Sequence, residues 1–236
     1  CCKSNLLAVC IQHFNPMIPS GLYNLQATRL YFNRFWRFLH IPNALDRCAY
    51  EQFVSVGTLL QARNVFELGP GTGMLARHLF TSSKELESLY LVELSDVLCC
   101  QLARQFSAAG SAVTIKHVID PPPFDCASGA FDRFISCFLL DCMDIETQRK
   151  YVEEAHRLLN VGGLFCTMSV TSGATPISKV FMWLGNLLSL AIPKLALGIR
   201  FVELENSLRP GMWRILENST IESMGFATRL LIARKQ

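Results

Sequence analysis

The chain has 236 residues, half of them hydrophobic, and a formal net charge of only +3. This length fits one α/β domain with additional elements, and the high apolar content excludes a disordered chain. The weak basic excess is spread along the sequence without a Lys/Arg run, so no nucleic-acid partner is expected. The ten cysteines form no CxxC pair, so we expect no metal site and a reducing compartment.

Two helices are predicted before the first strand. Residues 22–40 carry apolar side chains at imperfect helical spacing, and residues 43–60 are typical of a second helix that begins after Pro42. Together they predict a helical cover over residues 1–62, ahead of a main domain over 63–236. The aromatic and basic composition of the cover suits contact with a ligand. Its candidate contacts are Tyr23, Tyr31 and Trp36.

From residue 64 onwards, strands alternate with helices. The predicted strands are 64–68, 88–93, 112–118, 131–137 and 164–170, and the predicted helices between them are 73–82, 96–109 and 147–160. Such alternation predicts a doubly wound, mostly parallel sheet of the α/β class. Residues 213–222 and 226–233 follow each other through a short turn, so they predict a terminal antiparallel hairpin and a total of seven strands.

An apolar segment separates the fifth strand from the hairpin. Residues 177–192 are apolar on nearly all sides, and Pro193 ends the run. The uninterrupted run is shorter than the roughly 20 residues that span a bilayer. We therefore predict a helical insertion over 176–205, which either packs on the sheet or lies at a membrane surface. Its candidate ligand contacts are Trp183 and Arg200.

A glycine-rich turn, Glu67-Leu-Gly69-Pro-Gly71-Thr-Gly73, joins the first strand to the following helix. Glycines at every second position allow the backbone to come close to a ligand. The second strand ends in Glu93, at about the distance from the turn where an acid receives a ribose hydroxyl. The pair indicates a nucleoside-like cofactor. The acid inside the turn disfavours a pyrophosphate and favours a cationic amino acid.

Four motifs in the same order resemble those of the class I S-adenosylmethionine-dependent methyltransferases. They are Glu67 to Gly73, Leu91-Val-Glu-Leu-Ser95, Pro123-Phe124 followed by Ser128-Gly-Ala-Phe-Asp-Arg-Phe-Ile-Ser136, and Glu154-Ala-His-Arg-Leu-Leu-Asn-Val-Gly-Gly163. Over about residues 45 to 170 the chain is similar to the group that includes the ubiquinone/menaquinone-biosynthesis C-methyltransferases (methyltransferase type 11-like). The resemblance implies a Rossmann-like fold and S-adenosyl-L-methionine as cofactor.

The resemblance also implies roles for residues at the methionine and ribose ends of the cofactor. Glu67, Gly69, Gly71 and Gly73 match the loop that wraps the methionine moiety. Glu93 matches the acid that grips both ribose hydroxyls. These five residues are therefore expected to form the cofactor site.

Further matches lie at the adenine and sulfonium ends. Leu94 matches a residue that packs on the adenine. An Asp that binds the adenine amino group is expected at Val118, counting back from the Pro-Phe pair, with Ile119 beside it. Asp120 substitutes for that Asp if the loop is shifted. Cys137 stands where relatives often have Asn, near the sulfonium.

The implied reaction is an in-line methyl transfer, which depends on alignment and exclusion of water more than on acid catalysis. Candidate catalytic residues at the carboxyl ends of the strands are Asp141, His117 and Asp120. Aromatic faces with few charges predict a small apolar or amphiphilic acceptor, such as a quinone or lipid.

Other interpretations stay open. The chain is alternatively a cofactor-binding protein without turnover, whose apolar insertion contacts a partner or a membrane. A protein methyltransferase is a third, weaker hypothesis. We expect a cytoplasmic or peripheral membrane location. The chain does not begin with Met, so an upstream targeting segment stays an open alternative, as does the oligomeric state.

Overall fold

A computed structural model describes residues 25–35, 47–171, 175, 179–180, 203–223 and 226–236. Most of the predicted insertion 176–205 lies outside these residues. Four candidate ligand contacts also lie outside them, namely Tyr23, Trp36, Trp183 and Arg200. Tyr31 lies on the first helix, and the predicted division between residues 62 and 63 stays a prediction.

Helices and strands alternate through the described chain. The α-helices are α1 (Leu25–Phe35), α2 (Arg47–Val56), α3 (Met74–Ser82), α4 (Asp96–Gln105) and α5 (Ile145–Leu158). The strands are β1 (Asn64–Leu68), β2 (Ser88–Glu93), β3 (Val113–His117), β4 (Phe131–Cys137), β5 (Leu159–Val170), β6 (Trp213–Ser223) and β7 (Phe226–Lys235). Short 3-10 helices occur at Leu59–Gln61, Gly110–Ala112, Leu140–Cys142 and Leu204–Ser207.

The seven strands form one sheet in the order β3-β2-β1-β4-β5-β7-β6. Strands β1 to β5 pair in parallel, whereas β7 pairs antiparallel with both β5 and β6. This arrangement confirms the predicted doubly wound sheet with its terminal hairpin. The strand order reverses between β1 and β4, which is where open α/β sheets bind their ligands.

The boundary between α5 and β5 differs from the prediction. The Asp144 side chain accepts the Thr147 N–H at 2.8 Å, so the helix begins two residues earlier than expected. The strand begins already at Leu159, which pairs with Phe131. Arg133 then pairs with Leu164, so a step of two residues on β4 lies opposite five on β5, and the Gly162–Gly163 pair falls within this irregular stretch of β5.

Each face of the sheet has its own apolar core. One face is aromatic, with Phe66 stacked on Phe134 at a ring distance of 4.9 Å, and α5 contributes Tyr151 to it. The other face is covered by α2, α3 and α4, and Phe53 of α2 is fully buried there. None of the helices in the described part of the chain has the length and apolar character that a membrane span needs.

Candidate functional site

The glycine turn between β1 and α3 has a left-handed backbone at all three glycines. At Gly69, where φ is +70°, an added Cβ would lie 2.5 Å from the Leu139 side chain, so close packing demands a glycine there. At Gly71, where φ is +57°, an added Cβ would meet nothing within 4 Å. The two positions therefore differ, because Gly69 is required by packing and Gly71 leaves an open approach to the turn.

Glu93, at the carboxyl end of β2, reaches this turn. Its Oε2 accepts the Gly71 N–H at 3.1 Å, and its Oε1 accepts the N–H groups of Leu94 at 2.8 Å and Ser95 at 2.9 Å. Burial raises the pKa of Glu93 to about 7, although the three N–H bonds act to lower it. A carboxylate offers about four acceptor positions, so one remains for a ligand hydroxyl.

Glu67 is a second buried carboxyl at the same edge. It is 3% exposed, and its Oε2 has no hydrogen-bond partner among the described residues. Burial, and secondly the charge of Glu93, raise its pKa to about 8. Glu67 pairs with Ile135, so its side chain shares a face with Cys137 two residues further along β4. Burial raises the pKa of the Cys137 thiol, and the charge of Glu67 adds to this.

The expected adenine-side residues come together only in part. The Val118 N–H donates to the Glu93 carbonyl at 3.1 Å, and both Leu94 and Val118 pack in the aromatic core. Ile119 is 40% exposed, and Asp120 is exposed in the loop that follows β3. The structure thus brings Val118 next to Glu93, while the roles of these residues toward adenine stay predictions.

Two side chains of α5 hold the loop before β4, a role that sequence reasoning missed. Glu154 Oε1 accepts the Phe124 N–H at 2.7 Å. Arg157 donates to the Phe124 carbonyl at 2.9 Å and to the Cys126 carbonyl at 2.8 Å, and it also pairs with Glu154. The spacing of an acid and an arginine three residues apart on a helix was the available signal.

Two of the catalytic candidates are held by other protein groups. Asp141 is fully buried, and its Oδ2 accepts the Val170 N–H at 2.7 Å. His117 Nε2 lies 3.0 Å from Asp96 Oδ1 and 3.1 Å from the Leu94 carbonyl oxygen. Because both of these partners are acceptors, Nε2 carries the hydrogen. The catalytic roles of Asp141, His117 and Asp120 stay predictions.

Beyond β4 lies a small apolar patch that the sequence gave no signal for. Phe138 directly follows Cys137 and has a left-handed backbone with φ of +58°, which is uncommon outside glycine. Its partly buried ring packs against the buried side chains of Val170 and Ala227, and also against the core that contains Phe53. Strained backbone of this kind concentrates at functional sites. The patch formed by these three residues adjoins the end of β4 at the ligand edge of the sheet.

Comparisons with known proteins support a methyltransferase domain within the chain. Residues 65–163 match the family described as a methyltransferase domain. A search of curated proteins found no match. Among solved structures, the chain is similar to the N-methyltransferase NodS from Bradyrhizobium japonicum WM9, with 14% identity and a TM-score of 0.59 over 82% of this chain and 97% of that chain. It is also similar to an O-methyltransferase family protein from Burkholderia thailandensis, with 17% identity and a TM-score of 0.63 over 91% of this chain and 64% of that chain. A third similar structure is the [4+2]-cyclase SpnF, with 16% identity and a TM-score of 0.56 over 78% of each chain.

The sheet order and these similarities establish the Rossmann-like methyltransferase fold. Residues 65–163 match a methyltransferase domain, and this match supports a transferase enzyme. Methyltransferase domains of this kind normally use S-adenosylmethionine.

Proposed function

We propose that the protein transfers a methyl group from S-adenosyl-L-methionine to a small apolar or amphiphilic acceptor. The observation that carries the cofactor assignment is the Glu67 carboxyl, which is buried and has an unpartnered Oε2 beside the glycine turn. A cationic amino-acid moiety would satisfy such a group. Glu93 would hold the ribose, and the open approach at Gly71 would admit the ligand to the backbone.

The residues at this edge support alignment rather than acid catalysis. When bound, S-adenosylmethionine supplies an electrophilic methyl group on a sulfonium. Glu67, once ionised, offers negative charge to a cation in a region from which water is largely excluded. The turn and Glu93 would fix the position of the ligand, and alignment of this kind lowers the barrier of an in-line displacement.

The acceptor part of the proposal rests on the patch of Phe138, Val170 and Ala227. Val170 and Ala227 are buried, so the ring of Phe138, which is partly exposed and directly follows Cys137, is the part that would meet the apolar face of a quinone-like or lipid-like molecule. The resemblance to the ubiquinone/menaquinone group supports the same acceptor class, and such acceptors favour peripheral contact with a membrane. If the nucleophile must lose a proton, Asp141 is the base candidate nearest the patch, because it bonds to Val170.

A second candidate function is cofactor binding without methyl transfer. Two observations favour it. One is the pair of departures at Val118 and Cys137, and the other is the similar fold of a protein named as a [4+2]-cyclase. The two functions differ in whether a methylated product forms.

The cofactor site is tested by comparing Gly71→Ala with Gly110→Ala. Gly110 is a matched control, because its φ is +58° against +57° at Gly71 and an added Cβ meets nothing within 4 Å at either position. Gly110 lies just before β3, at the amino ends of the parallel strands, whereas Gly71 lies at their carboxyl ends. Both variants should lose about 1 kcal/mol of stability from the left-handed backbone. Only Gly71→Ala should weaken binding of S-adenosylhomocysteine in calorimetry, by about tenfold or more. Equal binding by the two variants would show that the cofactor lies elsewhere.

The acceptor is tested by incubating the protein with methyl-labelled S-adenosylmethionine and fractionated lipid and quinone extracts. Label in a quinone or lipid product supports the proposal. Label only in a water-soluble product contradicts the acceptor class. Tight cofactor binding with no labelled product in any fraction favours the second candidate function.

A further inference from the structure

A network of side chains joins α1 to the turn between β2 and α4. Asp96 Oδ2 accepts hydrogen bonds from Arg29 Nη2 at 2.6 Å, from Arg29 Nε at 3.2 Å and from Asn33 Nδ2 at 3.1 Å. The Ser95 hydroxyl donates to Asn33 Oδ1 at 2.6 Å. On the other side of the turn, His117 Nε2 lies 3.0 Å from Asp96 Oδ1. We call the contacts of Arg29 and Asn33 with Ser95 and Asp96 the α1 clasp.

The α1 clasp holds the turn between β2 and α4, and the same turn orients the Glu93 carboxylate. The N–H groups of Leu94 and Ser95 both donate to Glu93 Oε1. Ser95 therefore has two tasks, since its N–H holds Glu93 while its hydroxyl bonds to Asn33 and also accepts the Leu98 N–H. The position of α1 and the orientation of Glu93 depend on the same residues.

Docking of α1 is weak enough for a ligand to influence. The helix has only 11 residues, and a helix of this length needs tertiary contacts to persist. Thr28 is buried, and Phe32 packs against the core that contains Leu94. In the clasp itself, the Arg29 side chain is 28% exposed and that of Asp96 is 45% exposed, so their ion pair contributes only a small stabilisation.

We propose that Arg29, Asn33 and Asp96 are positioning residues for the cofactor, acting through the turn that aims Glu93. With α1 docked, the turn is pre-organised, and a pre-organised site binds its ligand more tightly. Because such coupling is reciprocal, an adenosine-bearing ligand also stabilises the docked α1. This inference rests on the proposed cofactor.

The test compares Asn33→Ala with the matched control Leu30→Ala. Leu30 lies on the same helix, is 62% exposed and takes no part in the clasp, so both variants place alanine in α1. S-adenosylhomocysteine affinity is measured by calorimetry, and trypsin cleavage after Arg29 and Arg34 is followed with and without this ligand. Asn33→Ala should raise the Kd about 3- to 10-fold and lose most of the protection that the ligand gives. Leu30→Ala should match the wild type in both.

The outcomes separate this inference from the proposed function. If the wild type fails to bind S-adenosylhomocysteine, the proposed function is wrong and the inference falls with it. If the wild type binds but Asn33→Ala has the same Kd and the same ligand-dependent protection, only the inference is overturned. An equal loss in Leu30→Ala also overturns it, because the effect would then belong to the helix in general. Asp96→Asn, which keeps the size of the side chain and removes its charge, serves as a second variant if Asn33→Ala fails to fold.

Discussion

Glu67→Gln tests whether the buried carboxyl at the glycine turn is neutral in the ligand-free protein. Burial and the charge of Glu93 raise the pKa of Glu67 from 4.5 to about 8. At a pH between these two pKa values, Glu67 is protonated in the folded state and largely ionised in the unfolded state. The contribution of Glu67 to stability is therefore fully present below the unfolded pKa and is lost as the pH rises through the folded pKa. Glutamine at this position does not titrate.

The size of the effect follows from the two pKa values. Between about pH 5.5 and about pH 8.5, titration of Glu67 should lower the free energy of unfolding by about 3 kcal/mol relative to Glu67→Gln. In a protein of this size 1 kcal/mol shifts Tm by about 2–4 °C. The Tm of Glu67→Gln should therefore rise relative to that of the wild type by about 6–12 °C across this range. Glu93 titrates in both proteins, so most of its effect cancels.

The assay is thermal unfolding by circular dichroism at a series of pH values without ligand. Glu87→Gln is the control, because Glu87 is exposed and the hydrogen bond from Arg63 lowers its pKa instead of raising it. The Tm of that variant should not rise relative to the wild type with increasing pH. Parallel curves for the wild type and Glu67→Gln would refute the reasoning, because they would show that Glu67 is ionised throughout.

Three further substitutions probe the edge of the sheet around β4. Gly69→Ala places a Cβ 2.5 Å from the Leu139 side chain at a φ of +70°, so urea denaturation should show that the free energy of unfolding falls by about 1–3 kcal/mol. An unchanged urea midpoint would contradict the packing argument. Asp141→Ala leaves the Val170 N–H without its acceptor, so it should lower the free energy of unfolding by about 1–3 kcal/mol. A large loss of turnover at unchanged stability would indicate a catalytic role for Asp141 instead. Phe138→Ala removes the partly exposed ring at the end of β4, so it should raise KM for an apolar acceptor and leave the Kd for S-adenosylhomocysteine unchanged. A changed Kd would place the ring at the cofactor.

The glycine turn and Glu93 were predictable because their signals are local. Glycine spacing indicates a close backbone approach, and parallel strands bring their carboxyl ends to one edge of the sheet. The buried bond from Val170 to Asp141 joins residues 29 positions apart, so no local pattern announces it. The left-handed backbone of Phe138 was equally hidden, because tertiary contacts impose a conformation that phenylalanine by itself disfavours.

The two buried carboxyls at the glycine turn destabilise the folded protein when no ligand is bound. Glu93 is held by three N–H groups, whereas Glu67 Oε2 has no partner in the described part of the chain, and each carboxyl resists ionisation through burial. A cation bound at Glu67 would favour the ionised form that burial disfavours. Apolar side chains in their place would pack without this conflict, but they would offer nothing to a positively charged ligand. Buried carboxyls that lower the stability of the ligand-free protein are therefore expected at a site that binds a positively charged ligand.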